Sequence, residues 1–239
     1  MITTKLGKFG KIVIYQYGKV GSSSIGVNLC EWLKCKFPGT TMKIQSRYPK
    51  VVHIHDPKIL QDIIDNHSSP TNPLLIINAT RNFYHRQISE YFQQHKNREN
   101  IKTMTMPELG SSLLENKIYR LNDWYQRFEK QLKFDLEPFD YQNHYSLTNS
   151  KNKHITVLLV RLEDSKIWPK IFSNLLHPKL TFKKRSNLSK NCWYGDKYNQ
   201  FKKYFIYPED AVAKLADSDT HQRYYQDLDK LDIDLPIST

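Results

Sequence analysis

"KIVIYQYGKVGSSSIG", residues 11–26, decides the fold. Its first five residues, Lys11-Ile-Val-Ile-Tyr15, form a short apolar, β-branched run of the kind that fills a buried strand. Two glycines, one lysine and three serines follow, and then an amphipathic stretch, Ile25 to Leu33. The pattern reads strand, tight turn, helix, with the turn at Gly18–Gly21 and the helix starting near Ser22. A helix start directs unpaired amides and the positive end of the helix dipole at one spot, which favours an anion. Small residues let the anion approach the backbone. The hydroxyls of Ser22, Ser23 and Ser24 add donors, and Ser22 or Ser23 can also cap the helix. A plain strand–turn–helix with serine capping is the competing reading.

Working outward, three more apolar runs have the same character: Lys50–His55, Leu74–Ala79 and Ile155–Arg161. Helical patterns follow the first, third and fourth runs. Strands alternating with helices predict an α/β fold, a central parallel sheet covered on both faces. Ligands of such sheets sit at the carboxyl ends of the strands. Those ends carry the Gly/Ser loop, His53-Ile-His55-Asp56, Thr80-Arg81-Asn82 and Arg161-Leu-Glu-Asp164. From about Asn97 to His154 the alternation stops. This stretch holds an expected helix, Met106–Leu132, and an aromatic, proline-containing segment, Phe134–Tyr141. It reads as a helical insertion in a single domain spanning residues 1–239. From Phe182 onward the chain is polar, helical in pattern and rich in Tyr and Lys.

With 39% hydrophobic and 13% aromatic residues among 239, the chain has the composition of a globular protein. Its three cysteines, Cys30, Cys35 and Cys192, are odd in number and lack metal-ligand spacing. No disulfide framework is expected, so a reducing compartment is. No apolar run approaches the roughly 20 residues of a membrane span, and the N-terminus lacks a signal peptide's apolar stretch. The expected location is cytoplasmic. The net charge of +12 attracts polyanions. The basic residues are nevertheless dispersed, with one compact cluster at Lys183-Lys-Arg185. Without a zinc finger or an RNA-binding signature, nucleic acid is not the expected partner. A non-catalytic nucleic-acid-binding protein is kept as an alternative on charge alone.

The loop does not have the spacing of a nucleoside triphosphatase. That motif places Lys directly after its second glycine, whereas Lys19 precedes Gly21 by two positions. No Asp ends a neighbouring strand in the setting that holds magnesium, and no ligand cluster for another metal is apparent. A terminal monophosphate fits better than a magnesium-bound triphosphate. A P-loop kinase acting on a small molecule or sugar is the first alternative, ahead of the nucleic-acid-binding one.

Gly18-Lys-Val-Gly-Ser-Ser-Ser24 resembles the 5′-phosphosulfate loop of sulfotransferases that use 3′-phosphoadenosine-5′-phosphosulfate (PAPS). Thr80-Arg-Asn-Phe-Tyr-His-Arg-Gln-Ile-Ser-Glu-Tyr-Phe92 resembles their 3′-phosphate motif, an Arg at a strand end followed eight residues later by a Ser. Leu158-Leu-Val-Arg-Leu-Glu-Asp164 is similar to the family's strand ending in Glu-Asp. A bacterial branch described as capsular polysaccharide synthesis proteins is closer still. It shares a Gln-x-Gly-Lys-Val-Gly-Ser-Ser loop, a segment like Trp124-Tyr125 and a late element matched by Lys190-Asn-Cys-Trp-Tyr194. The likeness spans residues 11 to about 227. Phe83, where a proline is frequent, and Cys192 and Gly195 at the late element depart from the pattern.

The resemblance implies a P-loop-type three-layer fold and PAPS as co-substrate, with no metal. Sulfuryl transfer needs acceptor oxygen, sulfur and leaving oxygen in line, with growing charge on the leaving phosphate stabilised. Lys19 is the candidate for that stabilisation. The amides of Gly21 to Ser24, with the hydroxyls of Ser22 and Ser23, would hold the 5′-phosphate. Arg81 and Ser89 would grip the 3′-phosphate, with Arg86 as a possible helper. Lys183, Lys184 and Arg185 resemble the basic stretch that closes over the same group. A histidine suits removal of the acceptor proton. His53 and His55 face one side by strand periodicity, and His55-Asp56-Pro57 is similar to the family's catalytic His-x-Pro. His55 is the first candidate and His53 the second, with Glu90 and Asp56 as further alternatives. Glu163 and Asp164 read as structural. Trp193 and Tyr194 read as packing for the C-terminal helix, with adenine stacking as the alternative. A carbohydrate acceptor, in a polysaccharide or glycolipid, follows from the resemblance alone. Trp124, Tyr125, Phe139, Tyr141 and Tyr145 are candidate sugar platforms and equally candidate core.

Overall fold

The computed structural model describes residues 9–16, 18, 20–33, 50–94, 98–115, 124–150, 153–178, 180–182, 192–216 and 219–227. Five strands form one sheet: β1 (Lys11–Tyr15), β2 (Val51–Ile54), β3 (Leu74–Thr80), β4 (Tyr145–Ser150) and β5 (Ile155–Arg161). The helices are α1 (Ser22–Trp32), α2 (Pro57–His67), α3 (Phe83–Gln94), α4 (Arg98–Thr103), α5 (Met106–Glu115), α6 (Trp124–Leu132), α7 (Trp168–Leu175), α8 (Gly195–Tyr204), α9 (Glu209–Ala216) and α10 (Asp219–Tyr224). The fold is α/β, with a mostly parallel central sheet flanked by helices. Among the described residues no helix is long and apolar enough to cross a membrane.

The strand order is β2-β1-β3-β5-β4. The β1–β2, β1–β3 and β3–β5 pairs are parallel, and β4 pairs antiparallel with β5 at the edge. Every residue of β1 and β3 is buried, as expected of strands covered on both faces. Ile12, Ile14, Leu75, Ile77, Leu158 and Val160 face one way and pack with Ile25 and Leu29 of α1 and Phe172 of α7. Tyr15 faces the other way, its ring 5.2 Å from that of Phe128 on α6. The chain leaves β1 through α1 to β2 and must return past β1 to reach β3. Right-handed crossovers therefore put α1 and α2 on opposite faces.

The chain divides into two compact units. One comprises Met1–Arg81 with Phe128–Asn187 and contains the whole sheet. The other comprises Asn82–Arg127 with Leu188–Thr239. Its core is aromatic: Tyr84, Phe92, Tyr194, Tyr198, Phe201 and Tyr207 are all buried. Within it the Tyr84 hydroxyl donates to the Val212 carbonyl at 3.1 Å and the Tyr207 hydroxyl donates to the Tyr84 carbonyl at 3.2 Å.

Two features, an additional strand β4 and an additional helix α2, differ from the sequence reading. The interruption of the α/β pattern is shorter than 97–154, because Tyr145–Ser150 forms β4 and joins the sheet. Its burial alternates along a half-covered edge, so it lacks the apolar run that marks the central strands. Both described ends of the helix expected over Met106–Leu132 are helical, as α5 and α6, and residues 116–123 between them lie outside the described residues. Finally, α2 follows β2. Asp56 caps it by accepting from the Lys58 amide at 2.8 Å, and Pro57 occupies the first turn, where its missing N–H costs nothing.

Candidate functional site

The carboxyl ends of β1, β2, β3 and β5 share one edge of the sheet. The chain runs from β1 to one side, while β3 and β5 lie on the other, so the ends of β1 and β3 flank a topological switch point, where ligands of open α/β sheets bind. Gln16 and the loop after it leave β1 at this point, and Arg81, half-buried, follows β3.

Gly21 makes the loop possible. Its φ of 78° is left-handed, and a Cβ built there would lie 2.6 Å from Leu162 Cδ1 and 3.1 Å from Trp168. Any side chain would therefore meet both a backbone penalty and a clash. The two residues it touches are held at the end of β5, where Trp168 Nε1 donates to the Arg161 carbonyl at 3.0 Å. Gly18, with φ 105°, needs glycine for its backbone angle alone.

Helix α1 begins at Ser22, as the spacing predicts, but the serines do not cap it. Gly21 is the N-cap, and no side chain makes the capping bond. Ser22 is turned away to His53: its Oγ lies 3.0 Å from His53 Nε2, and each residue is only 2% exposed. No acidic side chain occupies the first turn, so the positive end of the helix is not offset there. Ser23 and Ser24 are half-buried beside Ser22.

The two histidines have different surroundings. Burial first, and the neighbouring His55 second, push the pKa of His53 down to about 4. A neutral, enclosed imidazole bonded to Ser22 is placed to orient that hydroxyl. His55 lies just past the end of β2 and is exposed. Its Nδ1 is 3.1 Å from the Gln16 backbone carbonyl. A carbonyl can only accept, so Nδ1 carries the hydrogen. In the neutral ring Nε2 is then the lone-pair nitrogen. The two rings are 4.9 Å apart.

At the end of β5, Asp164 Oδ2 accepts from Arg161 Nε at 2.6 Å, and Asp164 Oδ1 lies 3.1 Å from His144 Nδ1. Buried Arg161 is also stacked 4.6 Å from the Phe139 ring. This cluster ties the start of β4 to the end of β5, which gives Asp164 a structural task. His144 was missed in the sequence because nothing in its vicinity signals a partner 20 residues away.

Lys19, Lys183, Lys184 and Arg185 lie outside the described residues. Ser89 is half-buried on α3, in the second unit. Arg86 there is ion-paired with Glu90 at 2.8 Å, so neither is a simple candidate for ligand work. Asp56 is occupied as the cap of α2. Tyr194, Tyr125 and Phe139 are buried core residues, whereas Trp193 is exposed. Among the described residues no group of three His, Cys, Asp or Glu side chains is arranged to hold a metal. No protein-family model matches the sequence, and no curated protein matches it either.

Proposed function

We propose that the protein is a PAPS-dependent sulfotransferase of P-loop type, transferring a sulfuryl group to a hydroxyl or amine of a carbohydrate acceptor. The observation that carries this reading is the bond from His55 Nδ1 to the Gln16 carbonyl. It leaves the lone pair of an exposed imidazole beside a glycine–serine loop that opens a helix. Such an arrangement has the two halves that group transfer needs, an anion cradle for the donor and a base for the acceptor.

In this reading the acceptor oxygen attacks sulfur and its proton passes to His55 Nε2. The bond from sulfur to the bridging oxygen breaks, and its electron pair remains on the 5′-phosphate of the product, 3′-phosphoadenosine-5′-phosphate (PAP). Lys19 stabilises that oxygen, and the amides at the start of α1 with the hydroxyls of Ser23 and Ser24 hold the phosphate. Arg81 binds the 3′-phosphate through its guanidinium fork. Ser89 is assigned to the same group from the eight-residue spacing alone, and Lys183, Lys184 and Arg185 from the resemblance alone. The test is a screen of oligosaccharide and glycolipid acceptors with sulfur-labelled PAPS, run beside calorimetry of PAP and AMP. Acceptor-dependent label transfer and a preference for PAP are expected. Equal affinity for PAP and AMP, with no transfer, refutes the reading.

A further inference from the structure

One buried group at the loop is left without a task by the chemistry above. Gln16 is 4% exposed, and its Oε1 has no hydrogen-bond partner among the described residues. Buried polar atoms of this kind are rare and costly, because the water lost on folding is not replaced.

Its direction follows from β1. Ile12 and Ile14 lie in the core that includes Ile25 and Leu29 of α1. The two-residue period of β1, continued one residue past Tyr15, puts Gln16 on the face of Ile12 and Ile14, the face that packs against α1. His53, on the corresponding face of β2, reaches Ser22 at the first turn of α1. The Gln16 backbone is held in place by the bond from His55 Nδ1. The carboxamide can still turn end for end, presenting either oxygen or NH2, without moving the chain.

We propose that the Gln16 carboxamide is a specificity-determining contact of the loop, donating its NH2 to an oxygen of the tetrahedral oxyanion bound there, a phosphate or sulfate ester. The surroundings select this class of ligand. Helix α1, which opens directly after the loop, has no acidic residue in its first turn. In that turn Ser22 offers a hydroxyl, paired with the neutral His53. A neutral amide adds a donor without leaving a buried charge when the ligand departs. The inference rests on the anion-loop reading and adds a residue to it.

The test is calorimetry of the full chain with PAP and with inorganic pyrophosphate, for wild type, Gln16→Met and Gln16→Glu, together with melting curves. Gln16→Met should weaken both anions by about tenfold or more, the range of a hydrogen bond to a charged group. It should melt no lower than wild type, since it removes an unpaired polar atom. Gln16→Glu has the same shape but no donor and sets a charge against the anion. It should weaken binding by about a hundredfold or more. If Gln16→Glu does not fold, Gln16→Met decides. Wild-type affinity in Gln16→Met overturns this inference and leaves the anion loop standing. A lowered melting temperature with unchanged affinity does the same, assigning Gln16 to the fold. If wild type binds neither anion, both readings fall.

Discussion

Acid should weaken this fold through His53. In the folded protein its pKa is about 4, against an ordinary 6.5, because burial and the adjacent His55 disfavour the charged ring. Above pH 6.5 the ring is neutral in both folded and unfolded chains and contributes nothing to the pH dependence. Between pH 6.5 and 4 the unfolded chain takes up a proton that the folded one refuses. Stability then falls by about 1.4 kcal/mol per pH unit, to a total of about 3 kcal/mol. Below pH 4 the contribution is flat. The assay is urea unfolding followed by tryptophan fluorescence from pH 7.5 to 4, comparing wild type with His53→Gln. The amide of Gln keeps a polar atom near Ser22 and does not titrate. Other ionisable groups contribute equally to both proteins, so the difference between the two curves isolates the ring. Wild type should lose about 3 kcal/mol more than the variant across that window. In His55→Gln most of the slope should remain, because burial is the larger cause. Parallel curves for wild type and His53→Gln would refute the reasoning and mean that His53 titrates as it does in an open chain.

Other outcomes are equally specific. Gly21→Ala should cost about 1–3 kcal/mol of stability, from the left-handed backbone and the contact with Leu162, and should impair PAP binding; denaturation and calorimetry check both. Arg81→Ala should weaken PAP by about tenfold or more and leave AMP nearly unchanged, since a single charge-assisted contact is lost; equal weakening of both would make Arg81 a structural residue. His55→Ala should slow sulfuryl transfer by about 10²–10⁴-fold while PAP affinity stays near wild type. Near-normal turnover would move the base elsewhere.

Much of the fold is legible because its central strands are buried on both faces. Lys11–Tyr15, Leu74–Thr80 and Ile155–Arg161 are continuous apolar runs, and no other environment in a small domain suits them. Strand β4 is not legible, because Tyr-Ser-Leu-Thr-Asn-Ser becomes a strand only by pairing with β5. A half-covered edge leaves a weak pattern.

The candidate site divides along the same line. Gly21, the start of α1 at Ser22 and the strand-end positions of His55 and Arg81 follow from local spacing, since a turn, a helix start and a strand end are each set by a few neighbouring residues. Tertiary structure alone decides what those residues do. Ser22 meets a histidine 31 positions away instead of capping its own helix. The protonated nitrogen of His55 is chosen by a carbonyl 39 positions away. The Oε1 of Gln16 is buried without a partner among the described residues, which nothing in its local sequence signals. Hydrogen-bond partners, burial and the pKa shift of His53 all depend on which distant segments exclude water from a group. The linear sequence specifies donors and acceptors, but only packing determines which of them meet.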